Sequence, residues 1–319
     1  MIIMKKTDKY RNSDLNEEAS AFDKHVNDRI ENGFVPDLRN LKKVEWFYNN
    51  AWREPEFAKI HWFPILEKII KTAAEKGGRI LEVGCGHGML SLELARNGLD
   101  VTGIDLSPKS IEVANEYKIK NNKAEGFGPL EYVCDDFLNR KFQGEYYDGV
   151  VFFRSMHHFP ELQKVMEKVA AMLKPDGLLM LCEPIRSKFS LKSAEMTLLL
   201  RKILPTWRDY RAKLDNQWTD ELWEEKVEDM RKEYAYEDHH HQSVMDNSVD
   251  CDKHILGEVE KLFDVNYKFY HDAFIDKIIG GLRGEDRFRL AEFLKFIDGY
   301  MVRHEILPPT SVTIFAAKK

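Results

Sequence analysis

The chain has 319 residues, 43% hydrophobic and 32% charged, with a net charge of −6 and no long basic run. This suits one globular core with additions rather than two full domains, and it disfavours broad phosphate contacts with nucleic acid. No apolar run approaches the roughly 20 residues that span a bilayer, and MIIMKKTDKY lacks the apolar stretch of a signal peptide, so a cytoplasmic protein free of membrane is expected.

Residues 1–78 read as a helical extension and lid. LKKVEWFYNNAWREP crowds aromatics beyond what a solvated linker needs, and PEFAKIHWFPILEKIIKTAAEKGG reads as one amphipathic helix closed by Gly77 and Gly78. From Arg79 strand and helix alternate. RILEV enters a glycine turn, MLSLELARNG is a short helix, and DVTGIDLS is a second strand. SPKSIEVANEYKIKNN is a helix with Ser107 as N-cap and Pro108 at its first position. PLEYVCDDF, YYDGVVFF and GLLMLCEP supply three more strands, with a helix before the last. Residues 185–257 break the pattern and read as a helical insertion. KLFDVNYKFYHDAF and TSVTIFAAKK close the chain as two further strands around a helical stretch. The expected class is α/β: a doubly wound, seven-stranded, mostly parallel sheet with helical additions, its core formed by residues 79–184 and 258–319. The four cysteines (Cys85, Cys134, Cys182, Cys251) show no CxxC spacing and read as reduced thiols.

The strongest signal is LEVGCGHG followed by GIDLS. Glu82, Gly84, Cys85, Gly86 and Gly88 fall in the turn between the first strand and its helix, where glycine lets the backbone approach a ligand. Asp105 ends the second strand, where a carboxylate can accept both hydroxyls of a ribose. A nicotinamide enzyme would use the same geometry, but its GxGxxG fingerprint fails here at Met89.

The GxGxG run preceded by Glu82 resembles motif I of the class I, Rossmann-like S-adenosylmethionine methyltransferases, and four more segments follow in that family's order over about a third of the chain. The resemblance implies S-adenosyl-L-methionine as cofactor and S-adenosyl-L-homocysteine as product. It places the methionine part on Glu82, Gly84, Cys85, Gly86 and Gly88, the ribose on Asp105, and the adenine on Leu106, Asp136 and Phe137. Arg154 is expected beneath the cofactor or on an anionic substrate group. Where some amine methyltransferases carry N/D-P-P-Y, this chain reads FRSMHHF, which argues against exocyclic base amines as acceptor.

His157 and His158 sit at the carboxyl end of the fourth strand and are candidate bases; similar pairs in the family also serve as structural braces. The run His239 to His241 offers His241 as a base and His240 as an acceptor contact. Three consecutive histidines cannot converge on one ion, so no metal is expected even with Glu237, Asp238, Asp246 and Asp250 nearby. Tyr48 and Trp52 are expected to face the acceptor from the N-terminal side. Methyl transfer from a sulfonium needs alignment, exclusion of water and, for a hydroxyl acceptor, a base; Glu183 and Asp238 are the alternatives to histidine. The expected activity is O-methylation of a small molecule, a sugar or secondary metabolite. N- or C-methylation, or an inactive cofactor-binding partner protein, are the alternatives. A homodimer is left open.

Overall fold

Seven short apolar segments form strands: β1 (Arg79–Val83), β2 (Asp100–Asp105), β3 (Leu130–Cys134), β4 (Tyr147–Phe153), β5 (Leu173–Pro184), β6 (Phe263–His271) and β7 (Ser311–Lys318). The helices are α1 (Asn12–Glu31), α2 (Pro55–His61), α3 (Phe63–Lys76), α4 (Met89–Arg96), α5 (Pro108–Asn121), α6 (Leu162–Met172), α7 (Leu191–Ile203), α8 (Asp220–Ala235), α9 (Leu256–Leu262) and α10 (Arg287–Arg303). The structure, a computed structural model, describes residues 12–122, 125–206, 213–214, 217–237, 243–246 and 254–319.

The sheet runs β3-β2-β1-β4-β5-β7-β6. The first five strands are parallel, and β7 pairs antiparallel with both β5 and β6. The doubly wound, mostly parallel α/β sheet is therefore present. Its middle strands are buried on both faces, which is why VVFF and LLMLC are apolar without alternation. One face packs Phe57, Ile69, Leu94, Ala114 and Leu294 from α2, α3, α4, α5 and α10. The other packs Val165, Val169 and Val259 from α6 and α9. Ser107 caps α5 by accepting the Ser110 amide, with Pro108 next. Among the described residues no helix is long and apolar enough to cross a membrane.

Two expected helices differ. The stretch from Pro55 is two helices, α2 and α3, parted at Trp62. Pro64 has no N–H to continue the ladder, and the break turns His61 and Trp62 into the interior. The stretch after His271 begins as two 3-10 turns, Ile275–Lys277 and Ile279–Gly281, before α10.

The N-terminal extension is bolted to these turns. Arg53 is 1% exposed; its Nε donates to the Gly280 carbonyl at 2.6 Å and Nη2 to Leu282 at 2.7 Å, with Glu54 at 2.7 Å as counter-charge. The Asn50 backbone lies so close to Gly280 that a Cβ there would stand 2.2 Å from it. Helices α7 and α8 pack on each other over Phe189, Leu198, Val227 and Met230. Gly280→Ala should cost about 1–3 kcal/mol, because neither backbone can yield without breaking the Arg53 bonds. A thermal melt within a degree of wild type would show that this contact is not tight.

Candidate functional site

Strand order reverses between β1 and β4, so the connections from their carboxyl ends diverge to opposite faces and leave a crevice. A cavity of about 700 Å³ fills it. At one pole lies the glycine turn. Gly84, Gly86 and Gly88 all have positive φ. A Cβ on Gly84 would meet Ser155, whereas Gly86 faces open space. Asp105 Oδ2 accepts the Gly86 amide at 2.8 Å, and Oδ1 accepts the Ser107 amide at 2.9 Å. Burial pushes its carboxyl above the usual range, against the pull of these two amides. Glu82 is buried beneath the turn on the Ser91 hydroxyl, and burial pushes it up to about 8. Gly84, Cys85, Gly86, Asp105 and Leu106 border the cavity, as do Asp136 and Phe137.

His87 Nδ1 and Ser110 Oγ are buried there without a hydrogen-bond partner among the described residues. Orphaned polar atoms in an interior want a ligand. With Gly86 open to the cavity and a carboxylate beside it, this pole suits a nucleoside carrying an amino-acid tail.

The β4 loop forms the floor. Glu183, fully buried at the end of β5, accepts the Ser155 and Met156 amides at 3.0 and 2.8 Å and meets His157 Nδ1 at 2.7 Å. Burial drives His157 well below its ordinary value, with His158 and Arg186 adding to the effect. His157 is thus a neutral brace between β5 and the loop. His158 meets Glu18 of α1 at 2.9 Å. Glu18 also accepts the Ser243 hydroxyl and the Met245 amide, both at 2.8 Å, and so ties α1 to the insertion across the cavity. One ligand atom each from His157, His158 and Asp246 lies within 4.8 Å of the others, a spacing a metal could use. Arg186, 2.7 Å from Asp246, already supplies the positive charge there.

Other expected residues fall elsewhere. Tyr48 is 66% exposed and lies outside the cavity wall, with its carbonyl held by Arg283. Trp52 does border the cavity, stacked on Trp62 with centroids 6.0 Å apart. Gly88 is absent from the wall; it starts α4 and abuts Tyr132. Arg154 also borders the cavity; it has a left-handed φ of 56° and sets its guanidinium 5.2 Å above the Trp62 ring. His239, His240 and His241 lie outside the described residues.

The sequence marks residues 1–78 as helical but does not single out α1 as cavity wall. Leu15, Glu18, Phe22, Val26 and Arg29 border the cavity at helical spacing, and that stripe was readable. His61, Asp276 and Lys277 also border it and belong to no motif.

A family profile described as "Methyltransferase domain" matches residues 56–246. The chain belongs to this family. Its members of the class I fold use S-adenosylmethionine, in line with the glycine turn and Asp105. "Ubiquinone biosynthesis O-methyltransferase" of Haemophilus ducreyi is 34% identical over 151 residues, 46% of this chain and 63% of that protein. The protein of that name in Coxiella burnetii is 35% identical over 114 residues, 36% of this chain and 47% of its own. The chain thus spans about half to two thirds of these curated relatives. Among solved structures, phosphoethanolamine N-methyltransferase 2 of Haemonchus contortus aligns over 86% of this chain and 55% of that one, at 18% identity and a TM-score of 0.48. The [4+2]-cyclase SpnF aligns over 95% and 94% at 12% identity, with a TM-score of 0.48. Such distant likenesses carry no argument on chemistry.

Glu183 gives the brace a pH dependence. Burial pushes its carboxyl from the ordinary 4.5 up to about 7, against the Met156 and Ser155 amides. A carboxyl raised on folding contributes its stability fully below the unfolded value and loses it as pH rises through the folded one. Wild type should therefore be less stable at pH 8 than at pH 5 through this group. Glu183→Gln, which cannot ionise, should show a smaller drop in urea midpoint between the two. An equal drop in both proteins would clear Glu183 of the effect.

Proposed function

We propose that the protein transfers the methyl group of S-adenosylmethionine to a hydroxyl of a small molecule. The observation that carries this is the pole built from Gly84, Gly86, Asp105 and two orphaned polar atoms, next to a second stretch of cavity large enough for an acceptor. Asp105 would hold the ribose, Leu106 and Phe137 the adenine, Asp136 its amine, and the Gly84–Gly86 backbone the methionine tail, with Glu82 and Cys85 beneath. When bound, the cofactor supplies an activated methyl on a cationic sulfur, so the protein need only align, desolvate and deprotonate the acceptor.

The relatives named as O-methyltransferases support hydroxyl over amine, and no N/D-P-P-Y follows β4. Residues 1–78 and 185–257 serve as the two halves of a lid: Arg186, Tyr234, Tyr236 and Met245 from the insertion and Phe22 and Trp52 from the extension line the same cavity. A net charge of −6 fits a small acceptor in the cytoplasm better than nucleic acid.

Calorimetry should show S-adenosylhomocysteine binding and no NAD binding. Asp105→Ala should weaken that binding by about 1–3 kcal/mol, the scale of a charge-assisted hydrogen bond left unmade. Unchanged affinity would remove Asp105 from the site, and NAD binding would return the fold to oxidoreductase chemistry.

A further inference from the structure

The cavity wall around His61 holds polar atoms with no hydrogen-bond partner among the described residues. His61 is 1% exposed, and neither ring nitrogen has a hydrogen-bond partner among the described residues. The same is true there of Trp62 Nε1, Asn49 Oδ1 and Asp276 Oδ1. All four residues border the cavity, and they are contiguous. The His61 and Trp62 rings stand 4.4 Å apart, His61 lies in the field of Asp276, and the Asn49 amide donates to the carbonyl of Lys277 next to Asp276.

Interiors pair nearly all of their buried polar atoms, so four neighbouring residues with orphans on one cavity wall point to a ligand. Their chemistry describes it. Asn49 Oδ1 and Asp276 Oδ1 accept, Trp62 Nε1 donates, and a neutral imidazole does one of each. A hydroxyl is the group that answers all of these. An ammonium is not needed, because Lys277 already pairs with the other Asp276 oxygen and Arg154 lies over Trp62. Trp52, stacked on Trp62, and Phe153, edge-on to Trp62, give the pole flat apolar walls beside its polar atoms.

Resting on the reading of the protein as a hydroxyl methyltransferase, we infer that this wall is an acceptor subsite for a small molecule with at least two hydroxyls, and that His61 takes the proton of the hydroxyl being methylated. Burial holds the free imidazole down at about 3, so it is unprotonated at neutral pH. Asp272 Oδ1, 3.8 Å from His61 Nδ1 and bound by Lys295 at 2.9 Å, and the Asp276 carboxylate supply the opposite charge that favours an imidazolium. The hydroxyl oxygen forms its new bond to the methyl carbon as that carbon's bond to sulfur breaks. The bonding pair stays on sulfur, and the hydroxyl proton passes to His61. One positive charge leaves the sulfonium as another appears on the imidazole, so a poorly solvated cavity never has to host extra net charge.

The test is calorimetry on wild type loaded with S-adenosylhomocysteine, titrated with catechol in one arm and methyl α-glucopyranoside in the other. One arm should show binding, and the responding arm tells an aromatic diol from a sugar. His61→Leu and Asn49→Leu should each weaken that binding at least tenfold and leave S-adenosylhomocysteine affinity unchanged. His61→Leu should also melt at or above the wild-type temperature, since it removes buried unpaired nitrogens. With the diol that binds, its methyl-transfer kcat should fall roughly 10²–10⁴-fold. The proposal is overturned if neither diol binds, if binding survives both substitutions, or if His61→Leu melts several degrees lower. Failure of wild type to bind S-adenosylhomocysteine would instead sink the hydroxyl methyltransferase reading beneath it.

Discussion

The site depends on the reversal of strand order between β1 and β4. Parallel strands send their helices to one face or the other, and where that choice switches, the carboxyl ends stand open. Given that opening, the glycine turn follows. The backbone after Val83 must bend at once toward α4, and the positive φ at Gly84 and the close approach of Ser155 leave no room for a side chain.

A second device recurs around the opening: a buried carboxylate that gathers backbone amides. Glu183 shapes the loop after β4, and Glu18 pins residues 243–245 onto α1. Asp298 of α10 accepts the amides of Ala273, Phe274 and Ile275 at 2.8–2.9 Å. That last contact sets the turn carrying Asp276 and Lys277. Glu183 and Asp298 resist ionisation because burial strips their water; Asp298 is pushed up to about 6 and Glu183 to about 7. The loops of the site are therefore held by electrostatics in a dry setting, which keeps them fixed while leaving apolar cavity wall for ligands.

The frame was legible because local rules suffice for it. Apolar runs between glycine and proline marked β1 to β5, Ser107 and Pro108 marked the start of α5, and LEVGCGHG with Asp105 marked the crevice. The acceptor side was not legible in the same way. Its members come from α1, the break between α2 and α3, the end of β6 and the insertion, joined only by the fold. Tyr48 was favoured as an aromatic in a crowded segment, yet the turn before Arg53 leaves it 66% exposed while Trp52 faces in. The Pro64 break could have been read, and it is what delivers His61 to the wall. The spacing of Glu18, Phe22, Val26 and Arg29 was also available, but charge at both ends of that stripe disguised a buried face.

On this reading one cavity holds cofactor and acceptor side by side. A crystal structure with S-adenosylhomocysteine tests it most directly. The ribose is expected on Asp105, the adenine beside Leu106 and Phe137, and the amino-acid tail over Gly84 to Gly86, with His61, Trp62, Asn49 and Asp276 left open to the remaining space. Density for the ligand against His61 and Asp276, or none at the glycine turn at saturating concentration, would contradict it.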